Sequence, residues 1–267
     1  MSLRQALTTV LFFCFTLSSQ LQADEFPGRK LYPGAPTVER EALNKRKSDV
    51  VVVDVRSEYE FQTLRMVGAI NIPLASPTFV QKMDELRKIY PAKEIVVYCN
   101  GRTCKKSYKA TLKCRKSNIK NVTAYDAGIF DWARSYPDQA ILLGETPVNP
   151  KKLIPKSTFK KKLLTPTDFG TLMAKRDAIV LDIRDSFQRE ALALFPGVEL
   201  RVDLDDIKRL DRIIEKAKRE NKTVLVYDAA GKQVRWLMYY LEKKGVKNYA
   251  FMEGGAHGYF ADLRKQF

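Results

Sequence analysis

The stretch Val51-Val52-Val53-Asp54-Val55-Arg56 has a counterpart later in the chain, Ile179-Val180-Leu181-Asp182-Ile183-Arg184. Each copy is a continuous apolar run that closes on Asp-x-Arg, and the two copies are 128 residues apart. A short run that is apolar on both faces is typical of a strand buried in a parallel sheet. We therefore predict one such strand in each half of the chain.

Two further pairs of segments follow in the same order. Residues 94–99 correspond to 223–228 at a spacing of 129, and residues 121–128 correspond to 248–255 at a spacing of 127. Helix-like stretches separate the strands at residues 77–90, 105–117, 205–218 and 233–244. Strands that alternate with helices form βαβ units. We predict an α/β protein with two tandem domains, each a parallel sheet flanked by helices.

Proline and lysine mark the boundary between the two copies. Residues 145–166 contain four prolines and six lysines, a composition that indicates an exposed linker. This places the first domain at residues 24–144 and the second at residues 167–267.

The N-terminus has the pattern of a secretory signal peptide. Arg4 precedes an apolar run from Ala6 to Leu17, and the polar stretch that follows ends at Ala23. About a dozen apolar residues fall short of the roughly 20 that span a bilayer, and no later segment is long enough. We predict cleavage after Ala23, a periplasmic or secreted protein and no stable membrane span.

Composition narrows the range of functions. The 267 residues include 47 Lys and Arg against 31 Asp and Glu, four Cys and a single His. So few ligands argue against a four-ligand zinc site, and we expect no metal and no cofactor. The net charge of +16 favours anionic small molecules, an acidic partner or an anionic membrane surface over nucleic acid in an exported protein, unless it only solvates the surface.

The residues directly after a strand are the first candidates for a site, because ligands of open α/β sheets bind beyond the carboxyl ends of the strands. Cys99 holds this position, and a short polar turn follows it. Backbone N–H groups of such a turn converge on anions, and Arg102, Lys105 and Lys106 add positive charge. We predict a lowered pKa for Cys99 and hence a nucleophile. The alternative is a buried, inert cysteine.

Several motifs together resemble the rhodanese family: Val-Asp-Val-Arg at 53–56, Glu-Tyr-Glu-Phe at 58–61, Gly-Ala-Ile-Asn-Ile-Pro at 68–73 and the Tyr-Cys loop at 98–99. The resemblance covers nearly the whole chain after the signal peptide, as two tandem domains. It implies a flavodoxin-like sheet and sulfur transfer through a persulfide on the catalytic Cys99. It assigns the loop around the sulfane sulfur to Asn100, Gly101, Arg102, Thr103, Cys104 and Lys105, with Asp54 and Arg56 supporting the site; we add Lys106 to the supporting residues.

The second copy carries Asp228 at the nucleophile position. A carboxylate cannot carry a persulfide, so we expect this domain to be silent and to wall the cleft of the first. We expect His257 at the surface, near the start of a helix. Lys105 stands where the related phosphatases have an arginine, which ranks phosphatase activity below sulfur transfer.

The remaining thiols leave alternatives open. Cys104 and Cys114 would lie roughly 15 Å apart along a helix, too far for a disulfide, whereas Cys99 and Cys104 can bridge. Cys104 is either a loop-packing residue or a resolving thiol that attacks a Cys99 persulfide.

The leading function is an exported sulfurtransferase that takes sulfur from thiosulfate, polysulfide or a persulfide. A thiol-disulfide oxidoreductase using Cys99 and Cys104, and a non-enzymatic binding module, are the alternatives. The expected partners are small anionic sulfur compounds and a thiol reductant protein.

Overall fold

The computed structural model describes residues 26–175, 177–184 and 193–265. The predicted signal peptide lies outside these residues. The chain divides into two compact units, of which unit 1 ends at Lys152 and unit 2 begins at Leu153. Within the described ranges no helix is both long enough and apolar enough to cross a membrane.

Unit 1 is built on a four-stranded parallel sheet in the order β3-β1-β4-β5. A small antiparallel pair, β2 with β6, lies beside it. The strands of unit 1 are β1 (Val51–Asp54), β2 (Leu64–Met66), β3 (Ile70–Asn71), β4 (Ile95–Tyr98), β5 (Val122–Tyr125) and β6 (Ala140–Leu142). Its helices are α1 (Pro27–Leu31), α2 (Arg40–Lys45), α3 (Glu58–Thr63), α4 (Phe79–Ile89), α5 (Lys106–Lys116) and α6 (Gly128–Ser135).

Unit 2 has a five-stranded parallel sheet in the order β7-β11-β10-β8-β9. Its strands are β7 (Leu163–Leu164), β8 (Ala178–Asp182), β9 (Glu199–Arg201), β10 (Thr223–Tyr227) and β11 (Tyr249–Met252). Its helices are α7 (Lys156–Lys160), α8 (Pro166–Ala174), α9 (Ile207–Arg219), α10 (Val234–Lys243) and α11 (Gly255–Leu263).

The two sheets have the same strand order, which confirms the predicted repeat and the α/β class. The predicted pairs of strands are β1 with β8, β4 with β10 and β5 with β11, and each pair holds the same position in its sheet. Even the edge strand β7 has a counterpart in unit 1, where Thr37 forms a parallel bridge to Ala124 of β5.

Continuous apolar runs form the central strands because both of their faces are covered. All residues of β1 and β4 are buried, and side chains from β1, α4, β4 and α5 form one apolar core. The polar residues that follow these strands therefore emerge at one edge of the sheet, where the candidate site lies.

The segment that we predicted to be an exposed linker is partly buried. Val148, Leu153, Ile154 and Phe159 have 8% or less of their surface exposed, and β7 pairs with β11. Apolar residues between the lysines supply this packing. The composition of residues 145–166 therefore predicted the polar side of the segment and missed its buried apolar side chains.

Candidate active site

Cys99 lies at the carboxyl end of β4, and six residues separate it from the first residue of α5. We call residues 99–105 the Cys99 loop. Its backbone turns back tightly, with the Cys104 N–H donating to the Gly101 carbonyl at 2.7 Å. The Cys99 side chain is fully buried, and Cys104 packs against the same apolar cluster while remaining partly exposed.

Cys99 Sγ lies 3.7 Å from the carbonyl oxygen of Cys104 and 3.7 Å from Ser107 Oγ. The two thiols affect each other's pKa, and the backbone N–H groups of Asn100 and Lys106 favour the thiolate form of Cys104. The loop therefore places a second cysteine next to Cys99, among backbone N–H groups that favour an anion.

The prediction of a lowered pKa for Cys99 is wrong. Burial, followed by the interaction with Cys104, raises the pKa of the Cys99 thiol well above its ordinary value. The interaction with Cys99 instead lowers the pKa of Cys104 to about 6, against its burial and with help from the N–H groups of Lys106 and Asn100. Within the pair, the surroundings therefore favour the thiolate on Cys104 over the thiolate on Cys99.

Asp54 and Arg56 reach the Cys99 loop through Asn100. The fully buried Arg56 pairs with Asp54 (Nε to Oδ1 2.9 Å) and donates from Nη1 to Asn100 Oδ1 at 3.1 Å. Asn71 holds the turn between them, since its Nδ2 donates to the carbonyl oxygens of Asp54 and Arg56. The ion pair thus fixes Asn100, whose own N–H favours the Cys104 thiolate.

Glu60 is a further supporting residue that the sequence reasoning missed. Its Oε1 accepts from Asn100 Nδ2 at 2.9 Å, and Lys106 Nζ lies 3.4 Å from Oε2. Burial by itself would raise the pKa of Glu60, but Lys106 and then Arg56 hold it below its ordinary value. The available signal was the pattern Ser57-x-x-Glu60, because a capping box at the start of α3 fixes this glutamate.

The other predicted loop residues are less close to the sulfur atoms. Arg102 lies over the Phe26 ring (5.1 Å to the centroid) and 3.5 Å from Asp131. Thr103 and Lys105 are exposed. Lys106 is the loop cation that contributes to the lowered pKa of Cys104.

Gly128 lets the turn after β5 pack against the Cys99 loop. Its φ of +74° favours glycine, and a Cβ there would lie 2.4 Å from the Gly101 nitrogen. The adjoining Ile129 N–H donates to the Cys99 carbonyl at 3.0 Å, so this turn sets the position of the loop.

The corresponding loop of unit 2, residues 228–233, is called the Asp228 loop. Asp228 is 2% exposed, and its carboxylate accepts four backbone hydrogen bonds. Oδ1 accepts from Ala230 (2.8 Å) and Gly231, and Oδ2 accepts from Gln233 and Val234 (3.2 Å). Gly255 is the counterpart of Gly128, since a Cβ there would lie 2.3 Å from the Asp228 carbonyl oxygen. His257 is exposed in the first turn of α11.

Both halves of the chain match the family model described as "Rhodanese-like domain", at residues 39–135 and 165–262. The chain belongs to the rhodanese-like domain family. This confirms the predicted family and its tandem arrangement.

Two curated proteins are similar to part of this rhodanese-like chain. Over 93 residues it is 33% identical to an HTH-type transcriptional regulator of Mycobacterium tuberculosis, covering 34% of this chain and 38% of the regulator. Over 96 residues it is 30% identical to a tRNA uridine(34) hydroxylase of Cronobacter sakazakii, covering 35% and 26% of the two chains. The chain thus spans well under half the length of either relative.

Solved structures are similar to this rhodanese-like chain at low identity. A thiosulfate sulfurtransferase from Pseudomonas aeruginosa is 18% identical with a TM-score of 0.37, covering 88% of this chain and 47% of that one. A human single-domain sulfurtransferase is 23% identical with a TM-score of 0.30, covering 38% and 97% of the two chains.

Proposed function

We propose that this protein is a sulfurtransferase that moves sulfane sulfur from thiosulfate, polysulfide or a persulfide to a thiophilic acceptor, through a persulfide on Cys99. Membership in the rhodanese-like family supports a sulfurtransferase-type protein. The observation that carries the proposal is a single contact. Cys99 Sγ lies 3.7 Å from the carbonyl oxygen of Cys104, whose thiolate form the N–H groups of Asn100 and Lys106 favour.

That contact defines a place for the outer sulfur of a persulfide. A persulfide on Cys99 adds one anionic sulfur atom next to Sγ, and backbone N–H groups stabilise such an anion. Cys104 Sγ occupies the place in the resting protein. We infer that the Cys104 side chain leaves it when a donor delivers sulfur.

The Cys99 thiol must lose its proton before it can attack. Cys99 Sγ donates to the Cys104 carbonyl oxygen or to Ser107 Oγ, both at 3.7 Å, and its proton passes to water when the sulfur donor enters the loop. The Cys99 thiolate then attacks the sulfane sulfur of thiosulfate. The new S–S bond forms as the S–S bond of thiosulfate breaks, and sulfite leaves with the bonding electron pair. An acceptor such as cyanide or a thiol removes the outer sulfur and regenerates the Cys99 thiolate.

Intact mass after thiosulfate treatment tests the proposal. The protein is reduced, desalted under anaerobic conditions, incubated with thiosulfate and compared with the same preparation before treatment, so that any N-terminal processing cancels. We expect a persulfide, a gain of about 32 Da, in Cys104→Ser and none in Cys99→Ser. Cys104→Ser is used for trapping because it removes the neighbouring thiol. A Cys99→Ser protein that gains the same mass would contradict the assignment of Cys99.

A second candidate function, thiol-disulfide exchange through Cys99 and Cys104, is favoured by the contact between the two residues, with Cys99 Sγ 3.7 Å from the Cys104 carbonyl oxygen. It differs in requiring no sulfur donor. If the protein oxidised or reduced a dithiol at the same rate with and without thiosulfate, and formed no persulfide in Cys104→Ser, this function would replace the first.

We further propose that the protein acts in the periplasm or outside the cell and that unit 2 is catalytically silent. The apolar run at 6–17 supports export, and Asp228 supports silence. N-terminal sequencing of the protein recovered from the periplasm or medium of the producing cell tests export, with Asp24 expected as the first residue. An intact leader on a cell-retained protein would contradict it.

A further inference from the structure

We propose that Cys104 reduces the persulfide of its own loop, so that the protein releases sulfide and is left with a Cys99–Cys104 disulfide. This inference rests on the sulfurtransferase function proposed above and extends it to a second reaction of the same site. The protein would thereby be a persulfide reductase as well as a sulfur carrier, with a dithiol protein as the partner that restores it.

Two sulfur atoms compete for one set of donors. The N–H groups of Asn100 and Lys106, which favour a thiolate on Cys104, are those that a Cys99 persulfide needs for its outer sulfur. Forming the persulfide therefore displaces the Cys104 side chain from the donors. The turn between Gly101 and Cys104 is closed by a backbone hydrogen bond of 2.7 Å, and it keeps the displaced thiol beside Cys99.

Proximity of this kind favours an intramolecular attack on the inner sulfur. The carbonyl oxygen of Cys104 already lies 3.7 Å from Cys99 Sγ, so the two residues are in contact within the loop. We infer that a movement of Cys104 within its turn brings the two sulfur atoms to bonding distance. The product depends on which sulfur atom Cys104 attacks. Attack on the outer sulfur would move the persulfide to Cys104 and release no sulfide.

The step balances without any external reagent. The outer sulfur of the persulfide takes a proton from water, and the Cys104 thiolate attacks Cys99 Sγ. The bond between the two sulfurs of the persulfide breaks, and hydrosulfide leaves with its electron pair. The two cysteines are oxidised together by two electrons, and the sulfane sulfur is reduced by two. A second turnover then needs a dithiol to reduce the disulfide.

The surroundings favour this departure. The N–H groups of the loop stabilise the negative charge that develops on the leaving sulfur, and Lys106 adds a positive charge that Glu60 holds in place at 3.4 Å. The remaining described cysteine, Cys114, is a poor competitor, because burial raises its pKa to about 12.

An anaerobic single turnover tests the inference. The reduced, desalted protein receives thiosulfate without any added thiol, and sulfite, sulfide and intact mass are followed over time. We expect the native chain to release one equivalent of sulfite and then one of sulfide, and to end about 2 Da lighter. Cys104→Ser is expected to release sulfite alone and to remain about 32 Da heavier. Cys114→Ala, the matched control, should behave as the native chain does.

Trypsin identifies the bond that forms. Cleavage after Arg102 separates Cys99, in residues 94–102, from Cys104, in residues 103–105. The two peptides should be joined in the native chain after turnover with thiosulfate and separate in a sample kept without donor.

The possible failures are distinct. A native chain that stays about 32 Da heavier, or in which the extra sulfur maps to residues 103–105, with no sulfide, overturns the inference and leaves the sulfurtransferase intact. Sulfide release from Cys104→Ser at the native rate also overturns it. If neither thiosulfate nor a parallel sample with inorganic polysulfide adds sulfur to Cys104→Ser, the sulfurtransferase proposal fails and this inference fails with it.

Discussion

The Cys99 loop and the Asp228 loop follow equivalent strands in two sheets that have the same strand order. In each loop, backbone N–H groups interact with a side chain that belongs to the loop itself. In unit 2 the residue at the strand end, Asp228, fills the loop itself with four hydrogen bonds. In unit 1 the occupant is Cys104, five positions beyond the strand-end residue. The loop geometry is shared, and the occupant is different.

This difference separates a structural loop from a reactive one. A carboxylate that accepts four backbone hydrogen bonds is a stable cap for α10, and we expect no other group to replace it in the loop. In the proposed reaction another sulfur replaces Cys104 in the loop, and Cys99 is the nucleophile. The Cys99 loop is also one residue longer, with six residues before α5 against five between Asp228 and α10. The extra residue gives Cys104 room to reach back over Cys99.

Substitution of the nucleophile should have the largest effect on the difference between the two loops. Cys99→Ser should lower the rate of sulfur transfer from thiosulfate to cyanide by at least about 10³-fold, because the loop then has no group that forms the persulfide. Thiocyanate formation measures the rate. Cys114→Ala, a substitution of the buried cysteine on α5, should keep nearly full activity. Equal losses in both variants would mean that folding, not chemistry, explains the effect.

Much of this site could be predicted from the sequence. The run ending at Asp54 and Arg56 predicted both a buried strand and a polar pair at its end, and this pair does support the loop through Asn100. The repeat of 127 to 129 residues predicted the shared order of the two sheets. The apolar pattern of a strand and the spacing of a repeat can be recognised from the sequence alone, because neither depends on how the side chains pack.

The division of charge between the two thiols could not be predicted in this way. It depends on the direction of the Cys104 side chain, which the turn at Gly101 and the N–H groups of Asn100 and Lys106 determine. The sequence placed three cations near Cys99, but Arg102 pairs with Asp131 and Lys105 is exposed. Burial of Cys99 then dominates its pKa. Such effects arise from tertiary contacts that spacing does not encode.

Removing the occupant of the Asp228 loop should destabilise unit 2. Asp228→Ala leaves four backbone N–H groups without their acceptor in a buried place, and we expect a loss of about 3 kcal/mol in the free energy of unfolding. The two tryptophans of the chain, Trp132 in unit 1 and Trp236 in unit 2, allow each unit to be followed in a Trp→Phe background. Urea unfolding followed by Trp236 fluorescence measures the loss.

An ordinary helix cap in the same unit provides the control for Asp228→Ala. Asp206 is exposed and caps α9 by accepting from the Arg209 N–H at 3.0 Å. Asp206→Ala should destabilise unit 2 by only about 1 kcal/mol. If the two substitutions had equal effects, the carboxylate of Asp228 would be a cap like any other. Persulfide formation on Cys99 is expected to be unchanged in Asp206→Ala.

The close packing at Gly128 should be sensitive to a single methyl group. Gly128→Ala places a Cβ 2.4 Å from the Gly101 nitrogen, whereas Gly68, with nearly the same φ of +76°, has nothing within 4 Å. Both substitutions carry the strain of a positive φ, about 1 kcal/mol, so their difference isolates the clash. We expect Gly128→Ala to destabilise unit 1 by about 2 kcal/mol more, followed by Trp132 fluorescence. Equal losses would mean that the loop moves freely away from this turn.

The smallest expected effect concerns the proton shared by the two thiols, and it tests which sulfur carries the charge. With iodoacetamide, the rate of alkylation of residues 103–105 should rise through pH about 6 and then level off, because Cys104 is the thiolate above that pH. In Cys99→Ala the thiolate loses the interaction with Cys99 that stabilises it, so the same rise should move to higher pH by about one unit, or tenfold in reactivity below the midpoint. Peptide mapping after a short pulse of reagent measures both profiles. If the step near pH 6 appeared instead on residues 94–102 and vanished in Cys99→Ala, the charge would lie on Cys99. The group that interacts with the loop N–H groups would then be the strand-end residue in both loops, Cys99 in one and Asp228 in the other.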